Sequence, residues 1–170
     1  MDQLGVKRSE MAELPGATIH KIDSAGRLKL RDYHRENLTP TVVLACGFDN
    51  CINLFVPQAW NLYRQQFARV DTGSLDPDLH DLRRLLVATA VECNIDDQGR
   101  IRLPESLLRW AGLDGSDREA QVICLDDRYE IWEVGRYNEF LTKRGKQLKE
   151  IARQLFRKQD GGPASGGSAN

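Results

Sequence analysis

Residues 22–30 of this chain read IDSAGRLKL, and residues 95–103 read IDDQGRIRL. The likeness continues downstream, where the aliphatic and aromatic residues of 54–61 match those of 131–138. Because two copies of a turn motif share the same downstream pattern, the sequence indicates an internal duplication. The prediction of the fold starts from these two motifs.

The duplicated motif has the composition of a tight turn between two short strands. Its Asp can accept a backbone N–H two residues later, and its Gly can adopt the left-handed conformation that closes a type I turn with a bulge. We therefore predict two hairpins, each built from the strands on either side of its own turn. The predicted turn-forming residues are Asp23, Gly26, Asp96 and Gly99.

Basic residues alternate with aliphatic residues directly after each turn. Since successive side chains of a strand point to opposite faces, Arg27, Lys29 and Arg31 are predicted to share one face of the first return strand. The leucines between them then form the apolar face. Arg100 and Arg102 repeat the arrangement in the second copy. Each copy is therefore predicted to present a basic strand face beside a rigid turn.

The charge of the chain is nearly balanced in sum but uneven along its length. A net charge of −1 and a pI near 6.3 argue against a protein that coats nucleic acid indiscriminately. Between residues 71 and 97, seven acidic residues accompany two arginines, whereas between 136 and 158 eight basic residues accompany two glutamates. The sequence therefore predicts a protein that is polarised by charge.

Other residue classes point to a soluble chain without a metal or cofactor. No apolar run has the length of a signal peptide or of a membrane-spanning helix, so we expect a cytoplasmic location. The sequence has no Cys-x-x-Cys motif, so its cysteines are expected to be reduced. The alternative is a Cys46–Cys51 disulfide or a metal site. The histidines lack regular ligand spacing; they are His20, His34 and His80.

The order of predicted elements gives an α+β fold of two β-β-α-β-β units, with helices between and after them. Hairpin edges left exposed in such units can be satisfied by exchanging strands, so a single interlocked barrel is favoured over two independent domains. Leucines 79, 82, 85 and 86 are predicted to form the core stripe of the connecting helix. The predicted segments are a flexible leader (1–15), a first repeat (16–75), a connecting helix (76–88), a second repeat (89–135), a basic C-terminal helix (136–158) and a disordered tail (159–170).

These motifs resemble those of the MraZ family of bacterial transcriptional regulators. The resemblance covers roughly residues 14 to 145 and is carried by both Asp-x-x-Gly-Arg turns, Leu103-Pro104, residues 110–113 (WAGL) and residues 130–132 (EIW). It implies a pair of SpoVT-AbrB-like swapped-hairpin units in one chain. It also implies a ring-shaped homo-oligomer that binds G-rich repeated boxes in double-stranded promoter DNA upstream of the division and cell-wall gene cluster, and a nucleoid-associated location.

The chain departs from the family pattern at several positions. Pro15 replaces an Arg that is usual in the family, and Ala25 replaces a Lys in the first turn, so two basic residues are lost. Arg31 stands where a Pro is common, while the second copy keeps Pro104. Relative to the family pattern, residues 1–13 and the tail after Lys158 are extensions. We expect these departures to alter DNA affinity or the preferred box.

The basic strand faces are the predicted DNA-binding residues. Arg27 is the first choice, because a planar guanidinium suits a guanine edge or a phosphate; the alternative is that Arg27 only pairs with Asp23 and stiffens the turn. Phosphate contacts are predicted for Lys21, Lys29 and Arg31. For Arg100 and Arg102, DNA contact, subunit contact and a purely structural role all stay open, since Asp97 in that turn would repel phosphate.

Two other classes of function were weighed. An AbrB-like protein-interaction module of the antitoxin type is the rival to a DNA-binding regulator, and the basic C-terminal helix fits it. A hydrolase using Asp96-Asp97 and Asp126-Asp127 is disfavoured, because no nucleophile lies beside a base and no histidine or glutamate has ligand spacing. The chain is therefore predicted to be a non-enzymatic regulator with neither a small-molecule substrate nor a membrane partner.

Overall fold

The structure is a computed structural model, and it describes residues 16–68 and 77–160. The predicted leader, residues 161–170 of the predicted tail and the boundary between the first repeat and the connecting helix lie outside the described residues. Residues 159 and 160, which were predicted to be in the tail, belong to the last helix. The strands are β1 (Ala17–Lys21), β2 (Arg27–Lys29), β3 (Thr41–Cys46), β4 (Ile52–Phe55), β5 (Val91–Asn94), β6 (Arg100–Arg102), β7 (Glu119–Cys124) and β8 (Tyr129–Glu133). The helices are α1 (Asp32–Arg35), α2 (Pro57–Ala68), α3 (Pro77–Leu86), α4 (Glu105–Ala111), α5 (Val134–Gly145) and α6 (Leu148–Asp160).

The strands form two antiparallel sheets, which confirms the α+β class. The larger sheet has six strands in the order β1-β7-β8-β4-β3-β5, and the smaller consists of β2 and β6. Both copies of the duplicated sequence have the order β-β-α-β-β. Strands of the two copies are nevertheless interleaved in the larger sheet, since β1 of the first copy pairs with β7 of the second, β4 pairs with β8 and β3 pairs with β5.

The prediction that the two strands flanking each turn pair with each other is wrong. Beyond a single bridge between Ile22 and Leu28, β1 and β2 do not pair; β2 pairs instead with β6 of the other copy. This exchange places the apolar sides of both short strands in one core, where Leu28 and Ile101 are each 0% exposed. Burial of an apolar side chain in the shared core stabilises such a short strand more than hydrogen bonding to the preceding strand of its own copy would.

One hydrophobic core serves both copies. It joins the return strands to the central strands of the large sheet, with Leu44, Leu54 and Ile131 all 0% exposed. Strands β3 and β4 are buried along nearly their whole length, and their sequences are accordingly mostly apolar instead of alternating, with Asn53 as a buried polar exception. Helix α4 contributes its buried face to the same core and ends at Gly112, whose φ of 69° is left-handed.

Two predictions about helices need correction. In α3, Leu79 and Leu86 are buried as predicted, but Leu85 is 46% exposed, so the apolar stripe is narrower than expected. The basic C-terminal helix is two helices, α5 and α6, separated after Gly145, where the low helix propensity of glycine favours a break. The described residues up to Val134 form one compact unit, and those from Gly135 form a second.

The cysteines are all free thiols, so the Cys46–Cys51 disulfide alternative is not realised. Among the described residues, no group of three or more histidine, cysteine or acidic side chains is arranged to hold a metal ion. Over the same residues, no helix combines the length and apolar character that a membrane crossing requires.

Candidate nucleic-acid interface

The first turn is built around the carboxylate of Asp23. Its Oδ1 accepts the backbone N–H groups of Ala25 and Arg27, each at 2.9 Å. The turn is closed by the N–H of Gly26, which donates to the carbonyl of Asp23 at 2.9 Å, and Gly26 has a φ of +73°. Only glycine adopts such a left-handed conformation without a steric penalty, so the turn requires this residue.

The second turn repeats this geometry. Asp96 Oδ1 accepts the N–H groups of Gln98 and Arg100 at 2.9 Å each, and Gly99 has a φ of +72°. A Cβ atom on Gly99 would lie 2.7 Å from Cδ of Arg35. The two motifs are therefore equivalent in structure as well as in sequence, and each glycine is confined by a close neighbour.

The exchange of strands joins the two basic faces into one surface. In the β2–β6 pair, Arg27 lies opposite Arg102 and Lys29 lies opposite Arg100. Directly opposed residues of an antiparallel pair project to the same side of the sheet, so the four cations share one face and the central aliphatic residues share the buried face. We call this surface the basic ribbon; it consists of Arg27, Lys29, Arg100 and Arg102.

The ribbon is locked at both ends by the turns. The N–H of Leu30 donates to the carbonyl of Gly99, and the N–H of Leu103 donates to the carbonyl of Gly26, each at 2.9 Å. The return strand of each copy is therefore bonded to the turn of the other copy. This reciprocal arrangement fixes the register of the four cations, because slipping by one residue would expose Leu28 and bury charged side chains.

Two of the four cations are held by the turn carboxylates. Nε of Arg27 lies 2.8 Å from Oδ2 of Asp23, and Nε of Arg100 lies 2.8 Å from Oδ2 of Asp96. In each turn the pKa of the Asp is lowered, first by the backbone N–H of the arginine and further by its side chain. Both carboxylates are therefore ionised at neutral pH, and both point their partner guanidinium in a fixed direction.

The other two cations carry the excess charge of the ribbon. Lys29 and Arg102 are exposed and form no ion pair with any described residue. Four cations and two carboxylates leave two uncompensated positive charges on this face. A guanidinium bound only through Nε also keeps its terminal N–H groups for another acceptor. The ribbon is thus chemically suited to anionic groups such as phosphates and to the acceptor edge of guanine.

The structure does not bring all six predicted DNA-binding residues onto the ribbon. Lys21 ends β1 in the larger sheet, where its register partner is Glu119. Arg31 lies beyond the end of β2 and is the N-cap of α1, with an extended backbone and an exposed side chain. Asp97, adjacent to the second turn's carboxylate, is exposed, so the two ends of the ribbon are not electrostatically equal.

Two features were not predicted from the sequence. One is the pairing of the two return strands, and the other is the contact of His20 with the backbone of β2. His20 Nδ1 lies 2.8 Å from the carbonyl oxygen of Lys29. The signal for this contact was present in the alternation of β1, in which Thr18 and His20 occupy the two buried positions. A polar pair on the inward side of an edge strand needs internal hydrogen-bond partners.

Comparison with known proteins supplies the family. The family model described as "MraZ protein, putative antitoxin-like" matches residues 14–78 and 86–158, well over half of the chain. The chain belongs to the MraZ family. Several relatives carry the name Transcriptional regulator MraZ. The relative from Moorella thermoacetica is 32% identical over 141 residues, which cover 80% of this chain and 92% of that protein.

Two further relatives have similar coverage. The MraZ of Limosilactobacillus reuteri is 30% identical over 142 residues, covering 84% of this chain and 96% of that protein. The MraZ of Ligilactobacillus salivarius is 29% identical over 137 residues, covering 81% and 92%. These findings confirm the resemblance that the turn motifs indicated. Membership of this family identifies the chain as a transcriptional regulator.

Proposed function

We propose that this chain is a non-enzymatic regulator that binds double-stranded promoter DNA in a sequence-specific manner through the basic ribbon. The observation that carries the proposal is the register of β2 and β6, which places Arg27 opposite Arg102 and Lys29 opposite Arg100. A two-stranded ribbon is narrow enough to enter the major groove of B-DNA, where each base pair presents a distinct pattern of donors and acceptors.

The two classes of cation have different roles in this proposal. Arg27 and Arg100 are oriented by the turn carboxylates and direct their terminal N–H groups at base edges, as guanine O6 and N7 require. Lys29 and Arg102, which are exposed, neutralise phosphates and hold the ribbon in place. Lys21 and Arg31 add peripheral phosphate contacts. The turn residues hold the two base-contacting arginines in place without touching DNA; they are Asp23, Gly26, Asp96 and Gly99.

Two uncompensated charges per chain give only weak binding, so the proposal includes a ring-shaped homo-oligomer. Several chains that meet repeated boxes about one helical turn, roughly 10 base pairs, apart engage the DNA together. Such multivalency raises the affinity by about 100-fold or more without new contacts. The proposed operators are repeated boxes upstream of the division and cell-wall genes, including the promoter of this regulator, and the proposed location is the cytoplasm, on the nucleoid.

The interleaved sheets support a swapped-hairpin barrel of the SpoVT-AbrB type as the scaffold. Each copy gives strands to the ladder of the other, and both return strands share one core. In this proposal residues 16–75 and 89–135 are the two repeats, residues 76–88 connect them, and residues 136–158 form a basic helical extension. The repeats are units of sequence, and neither is a separate folding unit.

A second candidate function is a protein-interaction module of the antitoxin type. The description of the matching family model contains the words "putative antitoxin-like". Helices α5 and α6 also expose large apolar side chains, with Leu141 at 48%, Leu148 at 66% and Leu155 at 58% exposure. A module of this kind needs a partner protein to act, whereas the proposed regulator binds its promoter alone.

The test is fluorescence anisotropy of a labelled duplex that carries the promoter repeats, with the pure protein and no partner. We expect Arg27→Ala to weaken binding by about 10- to 100-fold, because one good bidentate contact to a base is worth about 1–3 kcal/mol. Arg64→Ala removes an equal charge from an exposed site on α2 and serves as the matched control. Binding that is absent in the wild type, or equal in Arg27→Ala and Arg64→Ala, contradicts the proposal.

A further inference from the structure

A cavity of about 510 Å³ lies between α1 with the residues after it, the start of α2 and the turn that joins β7 to β8. This volume falls within the range of about 300–1,000 Å³ that is usual for sites of small molecules. The basic ribbon is formed by other residues, so the cavity is a separate feature of the same compact unit. Its walls are mainly aliphatic; they are formed by Leu38, Leu54, Val56, Ala59 and Leu125.

Tyr129 on β8 joins two sides of this cavity. Its hydroxyl lies 3.5 Å from the carbonyl oxygen of His34, and its ring meets the His34 ring edge-on at a centroid distance of 5.1 Å. The β7–β8 turn is closed by the N–H of Leu125, which donates to the carbonyl of Arg128 at 2.8 Å. The walls of the cavity are therefore held by contacts between the two copies of the duplicated sequence.

The rim of the cavity is acidic. Asp126 and Asp127 are exposed in the β7–β8 turn, and both line the cavity. Arg128 also lines it but is already paired, since its Nη1 lies 2.9 Å from Oδ1 of Asp127 and its Nη2 lies 3.0 Å from Oε1 of Glu130. His34 is neutral at pH 7, because burial lowers its pKa to about 4. Asp126 forms no ion pair with any described residue, so the rim keeps a negative charge that the chain does not compensate.

We propose that this cavity binds a small amphiphilic molecule that has an aliphatic body and a primary ammonium group. The aliphatic body packs on the apolar walls, and the removal of both apolar surfaces from water favours binding. The ammonium group donates to the carboxylate of Asp126 at the rim. A molecule of the same length with a carboxylate in place of the ammonium group is repelled by Asp126 and Asp127.

A molecule in the cavity also holds α1 in place. This helix has only four residues, Asp32–Arg35, and a single helical turn is not stable by itself. His34 lines the cavity, while the next side chain, Arg35, lies against the second turn, where its Cδ is 2.7 Å from the position of a Cβ added to Gly99. A bound molecule that packs on His34 and Leu38 therefore keeps α1 between the cavity and the second turn.

The test is isothermal titration calorimetry of the full chain at pH 7.5 with n-octylammonium and, as the matched probe of opposite charge, with octanoate. We expect saturable binding of octylammonium with a Kd below about 1 mM, which is reasonable for a ligand of this size, and weaker binding of octanoate. Asp126→Asn keeps the shape of the side chain and is expected to weaken octylammonium binding about threefold, as for one exposed ion pair. Asp117→Asn, exposed in the loop before β7 and away from the cavity, is the control and is expected to bind as the wild type does.

A second variant fills the cavity. Ala59→Phe places a phenyl ring among the aliphatic walls and is expected to weaken octylammonium binding at least about tenfold, the factor for keeping two methylene groups out of an apolar site. Hydrogen–deuterium exchange on the same samples locates the effect. We expect octylammonium to slow exchange in residues 31–38 of the wild type and not of Ala59→Phe, with residues 41–46 of β3 as the internal reference.

Three results overturn the inference. They are no saturable binding of octylammonium, equal binding of octylammonium and octanoate by the wild type, and undiminished binding of octylammonium by Ala59→Phe. Unchanged exchange in residues 31–38 on binding overturns the effect on α1. If Ala59→Phe does not fold, Leu125→Trp, which fills the cavity from the turn, takes its place under the same criteria. No DNA is present in these measurements, so their outcome is independent of the proposed function.

Discussion

Asp23 has two opposite effects on the affinity of the ribbon for an anion. Its negative charge repels phosphate, but its carboxylate also holds Nε of Arg27 and two backbone N–H groups of the turn. Asp97 has the same charge and is exposed in the equivalent region of the second copy, where Asp96 holds the turn. A comparison of substitutions at Asp23 and Asp97 therefore distinguishes the repulsion of phosphate by a carboxylate from the positioning of Arg27.

We predict that Asp23→Ala weakens promoter binding although it removes a negative charge, because Arg27 loses its fixed direction. Asp97→Ala is predicted to strengthen binding by about two- to threefold, as expected for the loss of one exposed repulsive charge in salt solution. Anisotropy titrations of both variants at one salt concentration provide the measurement. If both substitutions strengthen binding, the carboxylate of Asp23 has no positioning role.

Gly99 is the residue at which the turn is most sensitive to a side chain. An alanine there must adopt a φ of +72° and place its Cβ against the side chain of Arg35. We predict that Gly99→Ala lowers the free energy of unfolding by about 1–2 kcal/mol, chiefly through the left-handed backbone, since Arg35 can move aside. Gly115, where an added Cβ meets nothing within 4 Å, is the control. Urea denaturation in which Gly99→Ala and Gly115→Ala are equally stable contradicts the described turn.

At the scale of elements, β2 and β6 show where sequence reasoning succeeded and where it failed. The turn residues, the strand alternation and the order of elements follow from local rules, since turn chemistry and side-chain periodicity are local properties. The partner of β2 is not a local property. The alternation of residues 27–29 does not say whether β2 pairs with its neighbour β1 or with the equivalent strand β6. Burial in the shared core and the backbone bonds to the opposite turn favour β6.

Strand β1 and helix α1 make the fold sensitive to acid through His34. The folded pKa of His34, about 4, lies below the ordinary value of 6.5, so its contribution to stability is complete above pH 6.5 and is lost as the pH falls towards 4. The full difference corresponds to about 3 kcal/mol, at about 1.4 kcal/mol for each pH unit. We predict that the wild type loses more stability than His34→Gln between pH 7.5 and pH 4.5.

Urea denaturation of both proteins at the two pH values measures this difference. The variant controls for carboxylates, which titrate alike in the two proteins. An equal loss of stability in the wild type and in His34→Gln contradicts a neutral buried His34 as the source of the acid sensitivity.

At the scale of the whole molecule, duplication within one chain produces a binding surface that neither copy forms alone. Each copy supplies one guanidinium held by a turn carboxylate and one exposed cation, and the antiparallel pairing brings the four together. From the sequence, the six candidate cations form two separate sets, one in each copy. DNA contact was predicted less firmly for the second set, because Asp97 lies in the second turn. Four of them are joined in one ladder by a long-range pairing, which the residue pattern does not specify.

The central claim, that cations of both copies contact the same DNA, is tested most directly by the salt dependence of promoter binding in Arg27→Ala and Arg102→Ala. Each lost phosphate contact lowers the slope of log K against log salt by about 0.9, multiplied by the number of engaged chains. We predict that Arg102→Ala, from the second copy, weakens binding and lowers this slope, while Arg64→Ala changes neither. An Arg102→Ala protein with the affinity and salt slope of the wild type would contradict the account.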